Sequence, residues 1–153
     1  MGRYRKIRNS NGQMGWAQLW PFTYGLVMSP AALADGASIS GNITIDVGNP
    51  FILTEMRCSS DNDTTTLTTL QNLLFSIVDG SQQMLFSNIQ VPREAMFGTR
   101  DFPRQLPTEV EIPPADSLLV TMVNKTGVAL TTNVRVSLTG FRLIGFYTNK
   151  PEE

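Results

Sequence analysis

Residues 38–47 read Ser-Ile-Ser-Gly-Asn-Ile-Thr-Ile-Asp-Val. Ile39, Gly41, Ile43, Ile45 and Val47 fall on one phase of a two-residue period, and Ser38, Ser40, Asn42, Thr44 and Asp46 on the other. Successive side chains of an extended chain point to opposite faces, so this pattern predicts a strand with one face in a core and one in water. Gly48-Asn49-Pro50 ends it, and residues 51–58 read as a second strand.

The same reading extends along the rest of the chain. Residues 67–78 (Leu67, Leu70, Leu73, Leu74, Ile77) fit a helix by spacing, but the Thr-rich start and the short run 73–78 before Asp79-Gly80 favour a strand in the C-terminal half. Asp79-Gly80 reads as a tight loop into residues 83–86. Five prolines (Pro92, Pro103, Pro107, Pro113, Pro114) punctuate residues 88–116, which predicts short edge segments or loops there and no helix. Residues 117–124 and 133–147 are strands. In the last of these the phase set by Val134, Val136 and Leu138 breaks at Gly140, which predicts a bulge or bend there, with Gly145 as a second such point. Seven or eight short strands separated by turn signals give an all-β chain, a single antiparallel β-sandwich of jelly-roll type over residues 23–149, with a short tail at 150–153.

Residues 1–22 lack any sustained period, and Gly2, Asn9, Asn11, Gly12 and Gly15 disfavour helix. We expect an extended N-terminal arm here, followed by a connector over residues 23–37 with turn signals at Ser29-Pro30 and Asp35-Gly36. The arm carries Arg3, Arg5, Lys6 and Arg8 and no acid, a charge of +4, whereas the remainder carries 8 basic and 13 acidic residues, a charge of −5. It ends in Trp16, Leu19, Trp20 and Phe22, which are candidate anchors on a partner or a cover for one end of the chain's own core. A basic arm on an acidic body suits an acidic target. A neighbouring copy is favoured over single-stranded nucleic acid, because most of the aromatic residues stand away from the four charges.

Composition narrows the chemistry. The chain has no histidine, which removes the usual general base, the usual zinc ligand and every Ser-His or Cys-His nucleophilic arrangement. Charged residues make up only 16% of the 153, which suggests a surface partly covered by partners. Cys58 reads as a buried inert thiol. Asp61-Asn62-Asp63 resembles the opening of a calcium loop but lacks the downstream glycine and bidentate glutamate. Glu109 and Glu111 read as a solvated edge, or with Tyr147 as a sugar-binding cleft. No phosphate-cradling glycine loop is present. No enzyme activity, metal or cofactor is expected. No apolar run reaches 18 residues, and Pro21, Gly25 and Pro30 interrupt the signal-like stretch 22–34, so neither a membrane helix nor a cleaved leader is expected. The sequons at Asn42, Asn62 and Asn124 carry no weight without secretion.

Residues 85–92 (Leu-Phe-Ser-Asn-Ile-Gln-Val-Pro), 97–103 (Phe-Gly-Thr-Arg-Asp-Phe-Pro), 110–120 (Val-Glu-Ile-Pro-Pro-Ala-Asp-Ser-Leu-Leu-Val) and 136–141 (Val-Ser-Leu-Thr-Gly-Phe) resemble the small β-sandwich virion proteins of tailed bacteriophages, the head decoration (cement) and minor capsid proteins. The likeness lies in a proline-bounded segment, a strand begun by Ile-Pro-Pro and a last strand ending in a Gly-aromatic pair, and spans residues 38–147. It implies a mechanical role. Copies would associate as a trimer over junctions of the major capsid protein, on the virion surface, with the arm cross-linking neighbours. The same outline also suits a carbohydrate- or receptor-binding module of a tail or fibre.

Overall fold

The computed structural model describes residues 3–61, 72–99 and 101–152. It is an all-β sandwich of two antiparallel sheets. The strands are β1 (Arg3–Arg8), β2 (Met14–Met28), β3 (Ser38–Thr44), β4 (Phe51–Ser60), β5 (Leu73–Val78), β6 (Met84–Leu85), β7 (Val91–Pro92), β8 (Arg104–Ile112), β9 (Ser117–Asn124) and β10 (Val134–Tyr147), with one short helix, α1 (Arg93–Phe97). One sheet has the order β1-β2-β10-β4-β8; the other runs β3-β9-β5-β6, with β7 also paired to β5. From β2 onward the chain is nested. Early strands β2 and β3 lie beside late strands β10 and β9, and β4 and β5 flank them.

The alternating residues do what their period dictates. Val134, Val136 and Leu138 of β10 and Met56 and Cys58 of β4 point into the space between the sheets. There they meet Phe75 and Ile77 of β5 and Leu118, Val120 and Met122 of β9. Phe51, Phe75 and Phe97 are sealed from water, each burial favouring the folded state by roughly 1.5–3 kcal/mol. Tyr24 stacks edge-on against Phe51, and its hydroxyl accepts the Asp46 N–H at 3.2 Å.

Both glycine positions in β10 mark irregularities. At Thr139/Gly140 the register against β4 shifts, because Thr54 is an extra residue between Leu53 and Glu55; its hydroxyl donates to the Thr139 carbonyl at 3.1 Å. At Gly145, where φ is 74°, the register against β2 shifts as well.

Four expectations are corrected. Residues 1–22 are not an extended arm: β1 and the start of β2 form a hairpin, and β2 runs unbroken through the expected arm boundary and connector to Met28. The reason is partner supply, since β10 is long enough to pair with β2 from Met28 to Trp16. Residues 88–116 hold one helical turn, α1, and a nine-residue strand, β8. Pro107 is tolerated because β8 is an edge, and residues 106–109 bow away opposite Thr54 alone. β3 stops at Thr44, so Ile45 remains buried while Val47 is 82% exposed. Leu67, Leu70, Asn62 and Asp63 lie outside the described residues.

Paired loops explain the hairpins. Asn9 Oδ1 accepts the N–H groups of Asn11 and Gln13, and Gly12 takes a φ of 79°. Asp79 Oδ1 accepts those of Ser81 and Gln83, and Gln82 takes a φ of 66°. Each is a five-residue loop in which a short polar side chain mimics backbone and the fourth residue turns left-handed. The Asp79 carboxyl is held below its ordinary value by the Ser81 hydroxyl and the Gln83 N–H, and Asp61 by Arg135 and then Asn133. A carboxylate depressed in the folded state contributes stability above the unfolded value and loses it as pH falls. The denaturant midpoint should therefore drop as pH falls below about 4, and Asp79→Asn together with Asp61→Asn should flatten that dependence. Urea titrations across the acid range check this.

Candidate functional site

The eight residues singled out at the N-terminus divide by strand phase. Arg3, Arg5 and Ile7 stand opposite Leu19, Ala17 and Gly15 on one face of the hairpin; Tyr4, Lys6 and Arg8 stand opposite Gln18, Trp16 and Met14 on the other.

The first face closes a second, smaller core. Ala17, Ile52 and Leu143 are buried together, with Ile7 and Leu19 packed on them. Phe146 lies over Gly15, where a Cβ would stand 2.4 Å from its ring. This core sits on the side of the sheet away from the main one: Ile52 alternates with Phe51 and Leu53, which face the main core. Arg5 Nη1 meets Glu109 Oε2 at 2.5 Å. Strands β1 and β8 are opposite edges of one five-stranded sheet, which lie about 19 Å apart when flat, so the sheet must curl at this end. Both side chains are substantially exposed, so the pair contributes at most about 1 kcal/mol, and the apolar contacts hold the hairpin down. A cleft of ≈ 520 Å³ runs beside it, lined by Ile7, Asn9, Asn49, Pro50 and Phe146 among others, and a neighbouring one of ≈ 350 Å³ includes Arg8 and Glu111.

Two of the expected anchors are thereby consumed internally. Leu19 belongs to the small core. Phe22 packs on the main one, with the Arg142 guanidinium 3.4 Å above its ring and the Tyr24 ring edge-on at 4.7 Å. The basis for this was legible, because Phe22 shares the phase of Tyr24, Leu26 and Met28.

The second face is open. Trp16 is half-buried, Trp20 is 53% exposed and Tyr147 is 41% exposed. Tyr4 meets Tyr147 edge-on at 6.1 Å, and Lys150 Nζ lies 5.9 Å from the Trp16 ring centroid. Register places Tyr147 and Lys6 on either side of Trp16. The aromatic residues that stand far from the charges in the chain are brought among them by the hairpin. Tyr4 was legible as a neighbour of the arm's cations and of Trp16 and Trp20; sequence reasoning missed Tyr147, which strand pairing sets beside Trp16, and Lys150, which lies against the Trp16 ring.

The expected sugar cleft is not assembled. Glu109 is tied to Arg5. Glu111 pairs in register with Ile52, on the face of the small core, while Tyr147 looks out from the opposite face. Among the described residues no group of three His, Cys, Asp or Glu side chains converges as metal ligands would, and Cys58 is buried. At the far end of the sandwich, Phe102 is 78% and Val128 60% exposed on the loops that precede β8 and β10. Comparison with protein-family models, with curated proteins and with solved structures finds no match to the chain.

Proposed function

We propose that this chain is a structural virion protein of a tailed bacteriophage, a jelly-roll module that trimerises and stabilises the shell by binding the major capsid protein. The observation that carries this reading is the nested strand order, β2-β10-β4-β8 facing β3-β9-β5-β6. That order suits the two-sheet jelly roll, an architecture recurrent in capsid domains. Two exposed apolar side chains, Phe102 and Val128, stand on loops at one end and offer contact points for a capsid subunit. The role is mechanical and needs no catalytic group. A module that binds the assembled shell and not dispersed subunits stabilises assembly by mass action. Because Arg3–Arg8 and Met14–Met28 are strands of the chain's own sheet, the sandwich end and its loops take the cross-linking role expected of a free arm.

The test is twofold. Light scattering of the purified protein should give a trimer mass, and the protein should cosediment with assembled capsid shells but not with dispersed capsid subunits. Phe102→Asp with Val128→Asp should abolish cosedimentation while leaving the circular dichroism spectrum unchanged. A protein that ignores assembled shells would sink this reading.

A further inference from the structure

We infer that the open face of the N-terminal hairpin binds single-stranded nucleic acid, with bases stacked on its rings and phosphates held by its cations. This reading stands apart from the capsid role and uses a different surface.

The face spans three neighbouring strands. β1 contributes Tyr4, Lys6 and Arg8, β2 contributes Trp16 and Trp20, and β10 contributes Tyr147. Trp16 and Trp20 lie four residues apart on one strand, about 13 Å, with Gln18 between them on the same face. That leaves room for a base between two indoles. Tyr4 braces Tyr147 edge-on, so the tyrosine ring is held upright without being covered.

Charge selects the occupant. Lys6 and Arg8 are exposed, and neither forms an ion pair among the described residues. Lys150 adds a third cation above Trp16. No acidic residue stands on this face at the paired positions of β1 and β2 or opposite them in β10. Asp46, near its border, is taken up by Arg142 at 2.5 Å. A sugar-binding aromatic platform needs carboxylates beside amides to hold hydroxyls, and this face offers cations with the single amide of Gln18. A polyanion with planar rings satisfies both features at once, since every base has a π-face and every linkage a charge. Arg3 and Arg5 point to the opposite face and take no part.

The probes are fluorescein-labelled oligo(dT), oligo(U) and a DNA duplex of equal length, titrated against the full chain at low salt. Both single strands should bind and quench tryptophan fluorescence, and the duplex should bind more weakly. Phosphate contacts from Lys6 and Arg8 predict a log–log salt slope of about −1.4. Trp20→Ala should weaken binding roughly tenfold and Trp20→Phe should restore most of it. Lys6→Ala with Arg8→Ala should reduce the salt slope by more than half. Trp20 is more than half exposed, so its removal should leave the fold intact, which thermal unfolding of the variant checks. Binding of DNA alone or RNA alone would identify which source the face serves. Three results would overturn the inference: no binding of either strand, equal affinity for duplex, or affinity unmoved by Trp20→Ala. Loss of self-association in Trp20→Ala with oligonucleotide binding unchanged would reassign the face to a contact between copies.

Discussion

Gly140→Ala is expected to cost about 4 kcal/mol, enough to leave much of the chain insoluble on expression. A Cβ at this position would lie 1.8 Å from the Ile52 carbonyl oxygen and 3.1 Å from the Leu53 Cα. Both are backbone atoms of the paired strand, so no rotamer change can make room. Two remedies exist, and each is costly. β4 can move away, which opens the ladder at the bulge and strands buried backbone groups at about 1–3 kcal/mol each. Alternatively, the Phe51–Met56 segment can shift as a block into a core where overpacking costs a further 1–3 kcal/mol or so. Gly25→Ala is the matched control: it lies on β2, where an added Cβ meets nothing within 4 Å, and should leave stability unchanged or slightly raised. Chemical denaturation of the two variants side by side, with soluble yield, measures the difference. A Gly140→Ala protein as stable as its Gly25→Ala partner would refute the account of the bulge.

Asn124→Ala should lower stability by about 3 kcal/mol, a fall in Tm of roughly 6–12 °C for a domain of this size. Asn124 is completely buried. Its amide nitrogen donates to the carbonyls of Leu33 at 2.8 Å and Val128 at 2.7 Å, and its Oδ1 accepts the N–H and hydroxyl of Thr126 at 3.0 and 2.7 Å. One side chain thus ties the β2–β3 connection to the β9–β10 loop, beside the Leu33–Leu130 bridge. Alanine removes four hydrogen bonds at once; the Leu33 carbonyl keeps only the Leu130 N–H and the Val128 carbonyl only the Thr126 hydroxyl, while the Thr126 N–H loses its acceptor. Asn124→Asp should be at least as harmful, because a carboxylate offers no donor and adds a buried charge. Thermal unfolding by circular dichroism checks both. The same geometry removes Asn124 as a glycan acceptor, since its amide nitrogen is committed inside the fold. Asn42, by contrast, is exposed on β3.

Much of the sandwich was legible because burial writes itself into alternation. The strands Leu73–Val78 and Ser117–Asn124 match their expected bounds, and the break of phase at Gly140 foretold the bulge. The hairpin was not legible for an equally physical reason. Arg3–Arg8 is an edge strand with cations on both faces and a single apolar residue, Ile7, directed at a core. Its alternation is between two kinds of exposure, which hydrophobicity does not record. The signal present was the loop: Asn9 and Gly12 carry the same Asx and left-handed pattern as the loop at Asp79. The failure at β3 has the same root, as Val47 keeps the period after the strand has turned away.

The sequence by itself determined the class of this protein, the placing of most core strands and the sign of charge at each end. These follow from short-range preferences and from composition. Which strands pair, and therefore which side chains share a surface, was decided by tertiary structure alone. Pairing of β1 to β2 and of β2 to β10 divided one basic, aromatic stretch into two groups. Arg5 and Leu19 went to the face of the small core, while Lys6, Arg8, Trp16 and Trp20 took the other face beside Tyr147, where Phe22, further along the same phase, packs on the main core. A two-residue period assigns alternate faces but not what lies across the strand: on one side of Trp16 that neighbour is Lys6 of the same hairpin, and on the other it is Tyr147 from the far end of the chain.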